Sequence, residues 1–173
     1  NVSIVVVNAS GTGTGRFMSI DAANVANVSI AIVDSNVTAL WNTSTTSNAT
    51  TGLASIACLH NAENITGLTI VIVRSRLTGA THSNDDLACA AGVAVRQSGA
   101  ATRLSISLAF IAAINSTILV KNSGVGGGAV ALGVAGDATT ATSPVILCHI
   151  SVLATSSNVT AAGRSGSGRG ANA

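Results

Sequence analysis

The feature that most constrains this chain is a block that returns at long range. Ser35-Asn36-Val37-Thr38-Ala39 recurs as Ser157-Asn158-Val159-Thr160-Ala161, and Asn1-Val2-Ser3-Ile4 recurs as Asn27-Val28-Ser29-Ile30. Self-similarity of this kind points to one supersecondary unit stacked on its own copies. Upstream of both Ser-Asn-Val-Thr-Ala blocks lies an alternating segment, Val28, Ile30, Ile32 in the first and Ile150, Val152, Ala154 in the last. Leu68, Ile70, Ile72 and Leu104, Ile106, Leu108 fit the same frame as intermediate copies, with smaller or polar residues such as Ser29, Ala31, Ser105 and Ser107 between the apolar ones. A period of two with one apolar side marks a strand with one buried face.

Two further short strands accompany each copy. Phe17–Ile20, Ile56–Leu59, Val93–Val95 and Val130–Leu132 precede the long strand, with starts 39, 37 and 37 residues apart. Asn36-Val37-Thr38, Arg76-Leu77-Thr78, Ser116-Thr117-Ile118 and Asn158-Val159-Thr160 follow it. Polar or Gly-rich stretches, among them Gly11 to Gly15 and Gly124 to Gly128, lead to the next unit. Three short strands per unit at a spacing of ~37 residues describe an all-β chain folded as a parallel β-helix of about four to five coils. The connections carry no apolar stripe of helical period, which argues against βαβ units with their crossover helices. A β-sandwich would favour Asn-Gly or Asp-Gly hairpin turns, and neither dipeptide occurs. Aromatic residues make up only 2 % of the chain, as expected where small and β-branched side chains stack on their equivalents in adjacent coils.

The expectation is therefore a single β-helix segment over residues 1–173, cut from a longer solenoid, with residues 162–173 as a Gly/Ser-rich loop or tail resembling the Gly11 to Arg16 stretch. Neither end carries a charged or aromatic cap. Val2, Ile4 and Val6 on the starting edge, and Ile150, Val152 and Val159 on the final one, are thus expected to meet flanking coils or another copy in head-to-tail association.

Composition excludes several classes. Net charge is +2, the basic residues are scattered and stacking aromatics are nearly missing, so nucleic acid is not expected as a partner. Mean hydropathy is high at +0.57, but the best apolar window, Leu104 to Val120, is interrupted by Ser105, Ser107, Asn115, Ser116 and Thr117. A transmembrane segment wants ~20 mainly apolar residues, so none is expected here. No basic and apolar leader precedes the first strand-like sequence. Cys58, Cys89 and Cys148 show no Cys-x-x-Cys spacing, against a thiolate zinc site or a thioredoxin-like motif. They read first as small buried hydrophobes, with one disulfide plus one unpaired thiol as the alternative and the pairing open.

The densest motif is Asn-x-Ser/Thr. It occurs at nine of fourteen Asn residues: Asn1, Asn8, Asn27, Asn36, Asn42, Asn48, Asn64, Asn115 and Asn158. Ser and Thr total 40 of 173 residues, so chance would give roughly three matches among those Asn. N-glycosylation of an extracellular protein is the favoured reading, with Asn42 and Asn48 the most accessible, in a polar loop. The competing reading is a set of Asn ladders in Ser/Thr-rich strands. His82, Asp85 and Asp86 form the one acidic cluster, a candidate for Ca²⁺ or acid–base work, although neighbours on a strand face opposite ways. A solvated loop is the favoured reading. Gly11-Thr12-Gly13-Thr14-Gly15 lacks dinucleotide-binding spacing and has no following helix. No catalytic residue, metal or cofactor is assigned.

The Asn-Val-Ser-Ile-x-Ile-Val and Ser-Asn-Val-Thr-Ala blocks, the Ala/Val/Ser/Thr/Asn/Gly bias and the single Lys121 resemble the dispersed gene family proteins of trypanosomatids. The resemblance is one of repeat texture across the whole chain. It implies a pectin-lyase-like β-helix within a giant surface protein anchored elsewhere. The expected role is a non-catalytic structural or adhesive module of a cell-surface glycoprotein, meeting host or matrix glycans or proteins. The alternative is a polysaccharide-active β-helix enzyme, a pectinase-like glycosidase or lyase, although the signatures of those enzymes are missing.

Overall fold

The computed structural model describes residues 2–14, 16–42, 55–60, 63–82, 87–96, 104–124, 128–137, 145–163 and 171–172. Their strands run parallel in three sheets, visited in turn, which is a parallel β-helix. Sheet A stacks the long strands β1 (Val2–Val7), β4 (Asn24–Val33), β7 (Asn64–Val73), β10 (Leu104–Ile114) and β13 (Val145–Thr155). Sheet B stacks β2 (Ser10–Thr14), β5 (Asn36–Asn42), β8 (Arg76–His82), β11 (Thr117–Asn122) and β14 (Asn158–Gly163). Sheet C stacks β3 (Arg16–Asp21), β6 (Ser55–His60), β9 (Leu87–Arg96), β12 (Gly128–Asp137) and β15 (Ala171–Asn172). Among the described residues no helix is long and apolar enough to cross a membrane.

The stacking columns show why the repeat is legible. Ile4, Ile30, Ile70, Ile111 and Val152 lie over one another, as do Gly11, Val37, Leu77, Ile118 and Val159. In the inner coils Ile30, Ile70, Ile111, Leu77 and Ile118 are fully buried. Each such side chain contributes about 1.5–3 kcal/mol by leaving water.

Four details depart from the sequence expectation. First, the repeat is 40 to 41 residues in the inner coils and 26 in the first, as Val2, Val28, Leu68, Ala109 and Ile150 share a column. Second, the residues of β10 in register with Leu68, Ile70 and Ile72 are Ala109, Ile111 and Ala113, not Leu104, Ile106 and Leu108. Ile106 is buried beside Ile65, but Leu108 is 57 % exposed at φ 58°. It occupies a left-handed column with Asn27, Gly67 and His149, at φ 51°, 70° and 52°. This bulge moves the apolar phase of β4, β7, β10 and β13, and Gly67 adopts it without steric cost whereas Leu108 does not. The partner of Asn36 and Arg76 is likewise Thr117, one residue beyond Ser116. Third, in sheet C Ser55, Cys89 and Val130 share a column, while Val93 lies with Leu59 and Val134. The frame that aligned Ile56 with Val93 and Val130 is therefore displaced. Fourth, Gly11 to Thr14 is not a loop but strand β2, paired with β5 from Ser10 on Asn36 to Thr14 on Leu40. Ala162 and Gly163 close β14, and Ala171–Asn172 pair with Ala129 and Val130.

Sheet C is the best buried. Ser55 to Leu59, Ala88 to Val93 and Gly128 to Gly133 are covered on both faces, which explains their near-continuous small apolar sequence. Gly92 lies so close to Gly133 that an added Cβ would sit 1.8 Å from the Gly133 carbonyl oxygen. A disulfide joins Cys58 of β6 to Cys89 of β9, packed with Val130, while Cys148 is free and exposed. The reading of all three thiols as unlinked core residues is thus replaced by one bridge and one free thiol.

Candidate functional site

The connection from sheet A to sheet B repeats with the same geometry in every coil. It begins with a left-handed residue, in turn Asn8, Asp34, Arg74, Asn115 and Ser156, all with φ between 45° and 52°. Its backbone N–H donates to the next coil: Asn8 to the Val33 carbonyl at 3.1 Å, Asp34 to Val73 at 3.0 Å, Arg74 to Ile114 at 2.9 Å and Asn115 to Thr155 at 2.9 Å. Ala9, Ser35, Ser75, Ser116 and Ser157 follow. The N–H of Ala9 donates to Ser35 Oγ at 3.1 Å, that of Ser35 to Ser75 Oγ at 3.0 Å, that of Ser75 to Ser116 Oγ at 3.1 Å, and that of Ser116 to Ser157 Oγ at 3.0 Å. Each hydroxyl donates back to the carbonyl two residues earlier, at 2.7 to 2.9 Å. Ser35, Ser75 and Ser116 are buried, so the ladder satisfies corner N–H groups that would otherwise be costly.

This ladder is the floor of an open polar trough of about 680 Å³. The left-handed residues form one wall, and Ser10, Asn36, Arg76 and Thr117 the other. At the centre, Arg74 grips Asp34 with two charge-assisted hydrogen bonds, Nε to Oδ1 at 2.6 Å and Nη2 to Oδ2 at 2.8 Å. The bonded guanidinium holds the Asp34 carboxyl below its ordinary range, and the carboxylate raises Arg74 in turn. Both side chains are substantially exposed, 57 % for Arg74 and 38 % for Asp34, so the pair fixes side-chain geometry more than it adds stability. Among the described residues Asp34 is the only carboxylate lining the trough, and both its oxygens are engaged. Hydrolysis of a glycosidic bond in the usual manner needs two carboxyl groups facing each other.

The sequons fall largely around this corner. Asn8 and Asn115 sit in one wall and Asn36 in the other, while Asn158 continues the Asn36 row in the last coil. All four are exposed. Asn27 occupies the bulge column and is exposed; Asn64, also exposed, donates from Nδ2 to Asn24 Oδ1 at 2.9 Å. That pair is a single Asn rung; the long side-chain ladder is made of serine. Asn42 closes β5, and Asn1 and Asn48 lie outside the described residues. Of the acidic cluster, His82 ends β8, exposed, with Nδ1 2.9 Å from Ser123 Oγ; Asp85 and Asp86 lie outside the described residues. Among the described residues no group of three or more metal-ligating side chains comes together.

Sequence reading missed the corner as a site. Asp34 and Arg74 are 40 residues apart, one coil length, so a register alignment at 40 would have paired them. The serine column was visible only at its two ends, in the two Ser-Asn-Val-Thr-Ala blocks. Compared with protein-family models, curated proteins and solved structures, the chain finds no match in any of the three.

Proposed function

We propose that the chain is a non-catalytic structural or adhesive module of an extracellular cell-surface glycoprotein. The observation that carries this reading is the placement of sequon asparagines. Asn8, Asn27, Asn36, Asn64, Asn115 and Asn158 are all exposed, at corners, bulges or strand starts, where a glycan projects into solvent without disturbing the coil interior. The buried Cys58–Cys89 bridge adds support, because disulfides persist mainly in oxidising, secretory compartments. The repeat texture that resembles the trypanosomatid dispersed gene family agrees with the same location. A trough in which the one carboxylate among the described residues is held by Arg74 favours a structural role over polysaccharide cleavage.

Secretion from a glycosylating host tests the reading. The product is expected to run above 16.8 kDa and to collapse to that mass after N-glycosidase, with Asn36→Gln and Asn158→Gln each removing one step. An unmodified mass from such a host overturns it.

A further inference from the structure

We infer that the third corner of the coil, where Arg74 and Arg76 line the trough, binds the sulfate groups of a sulfated glycan. The inference rests on the adhesive reading above and gives its ligand a site and a chemistry.

Register sets this corner apart. Asn36, Arg76, Thr117 and Asn158 share one column of sheet B. The corners of the first, second, fourth and fifth coils each hold a sequon, at Asn8, Asn36, Asn115 and Asn158. The third reads Arg76-Leu77-Thr78, with arginine in the place of the sequon asparagine. It is the one corner of the five from which no N-glycan can project.

The cation there is uncommitted. The Arg76 backbone is fixed, its N–H donating to the Ser35 carbonyl at 2.8 Å. Its side chain is exposed, and among the described residues its guanidinium has no hydrogen-bond or ion-pair partner. Arg74 spends Nε and Nη2 on Asp34, which leaves its Nη1 over. Asp34 in turn has no oxygen to spare for Arg76. The described lining therefore sets two guanidinium groups against one carboxylate.

The rest of the lining narrows the ligand. At about 680 Å³ the trough has the size of a ligand cleft. Ala9 is its one apolar residue among those described, and no aromatic face lines it. It lacks the apolar pocket that would seat a peptide anchor, whereas hydroxyl and amide groups suit the hydroxyls of a sugar chain. Adjacent strands lie about 4.8 Å apart, so Asn36 and Thr117 flank Arg76 on either side at that spacing. Donors thus reach one point from three coils. A carboxylate has two oxygens, which a single guanidinium fork saturates. A sulfate ester has three terminal oxygens and can use the flanking donors as well.

Calorimetric titration of the full unglycosylated chain with a heparin oligosaccharide tests this. Binding is expected to weaken with added salt and to fall about tenfold or more in Arg76→Gln, the loss of charge-assisted hydrogen bonds. Arg76→Lys keeps the charge without the fork and should fall in between. Lys121→Gln removes the same charge outside the trough and should bind as the native chain does. Asp34→Asn should bind several-fold tighter, because it frees Arg74 and removes the carboxylate, and asparagine tolerates the φ of 50° at that position. Heparin stripped of its sulfates, with its carboxylates intact, should bind at least tenfold more weakly. A native chain that ignores heparin overturns the inference. So does an equal loss in Lys121→Gln and Arg76→Gln, an Asp34→Asn variant no tighter than native, or equal binding of the desulfated chain. Unchanged β-sheet circular dichroism in each variant excludes loss of fold as the cause. The titration needs no glycan on the protein, so its failure is separate from failure of the glycoprotein reading.

Discussion

Strands β7 and β13 stand two places apart in sheet A and carry equivalent inward residues, yet their surroundings differ. Ile70 is fully buried and Val152 in the same column is half exposed. The corner repeats the contrast. The Ser75 N–H reaches Ser116 Oγ at 3.1 Å, while the Ser157 N–H has no acceptor among the described residues. The difference teaches that a coil here is not a self-sufficient unit. Part of its core cover and of its corner hydrogen bonding is supplied by the next coil, as the nearest-neighbour energetics of solenoids require.

The largest effect should come from emptying the two positions in turn. Ile70→Ala leaves a cavity between β4 and β10 and is expected to cost about 2–5 kcal/mol in denaturant unfolding. Val152→Ala in the dilute monomer should cost under about 1 kcal/mol, since much of its surface is already in water. Equal losses would mean that the last coil is as well covered as the middle ones.

A smaller effect should separate the serines. Ser75→Ala removes the acceptor of the buried Ser35 N–H and should cost about 1–3 kcal/mol. Ser157→Ala removes an acceptor at a wetter corner, where water can replace it, and should cost under about 1 kcal/mol. If the two matched, the ladder would be no more demanding inside than at its end.

The smallest effect lies on the trough wall. The Asp34 carboxyl is held below its ordinary 3.8 mainly by its hydrogen bond to Arg74. With the folded value depressed, the contribution is present above the ordinary value and is lost as pH falls through the lower, folded one. A carboxyl titration by NMR should place Asp34 below 3.8, with Arg74→Ala moving it back upward. Added salt should weaken the effect, because the pair is exposed. An Asp34 titration indifferent to Arg74→Ala would show that the pair does not persist in solution.

The architecture was legible because its columns repeat chemistry as well as period. Isoleucine stacks on isoleucine at positions 4, 30, 70 and 111, and the strongest sequence match, Ser35–Ala39 with Ser157–Ala161, is the corner itself. Misreading followed where the fold replaced a large residue with a small one. Ala109 and Ala113 fill columns held elsewhere by Leu68 and Ile72, so the better-looking alternation of Leu104, Ile106 and Leu108 drew the frame off by five residues. Gly11 and Gly13 signalled a turn, although in β2 they take the places of Val37 and Ala39 in register. The Asp34–Arg74 pair was hidden because complementary residues one coil apart do not resemble each other, whereas stacked identical ones do.

Amide hydrogen exchange by NMR on the dilute, unglycosylated monomer tests most directly whether coils depend on their neighbours. The account predicts that the N–H groups of Ser35 and Ser75 exchange near the rate set by global unfolding, while the Ser157 N–H exchanges orders of magnitude faster. Protection of Ser157 equal to that of Ser75 in the monomer would contradict the open last coil, and fast exchange at Ser35 and Ser75 would contradict the ladder itself.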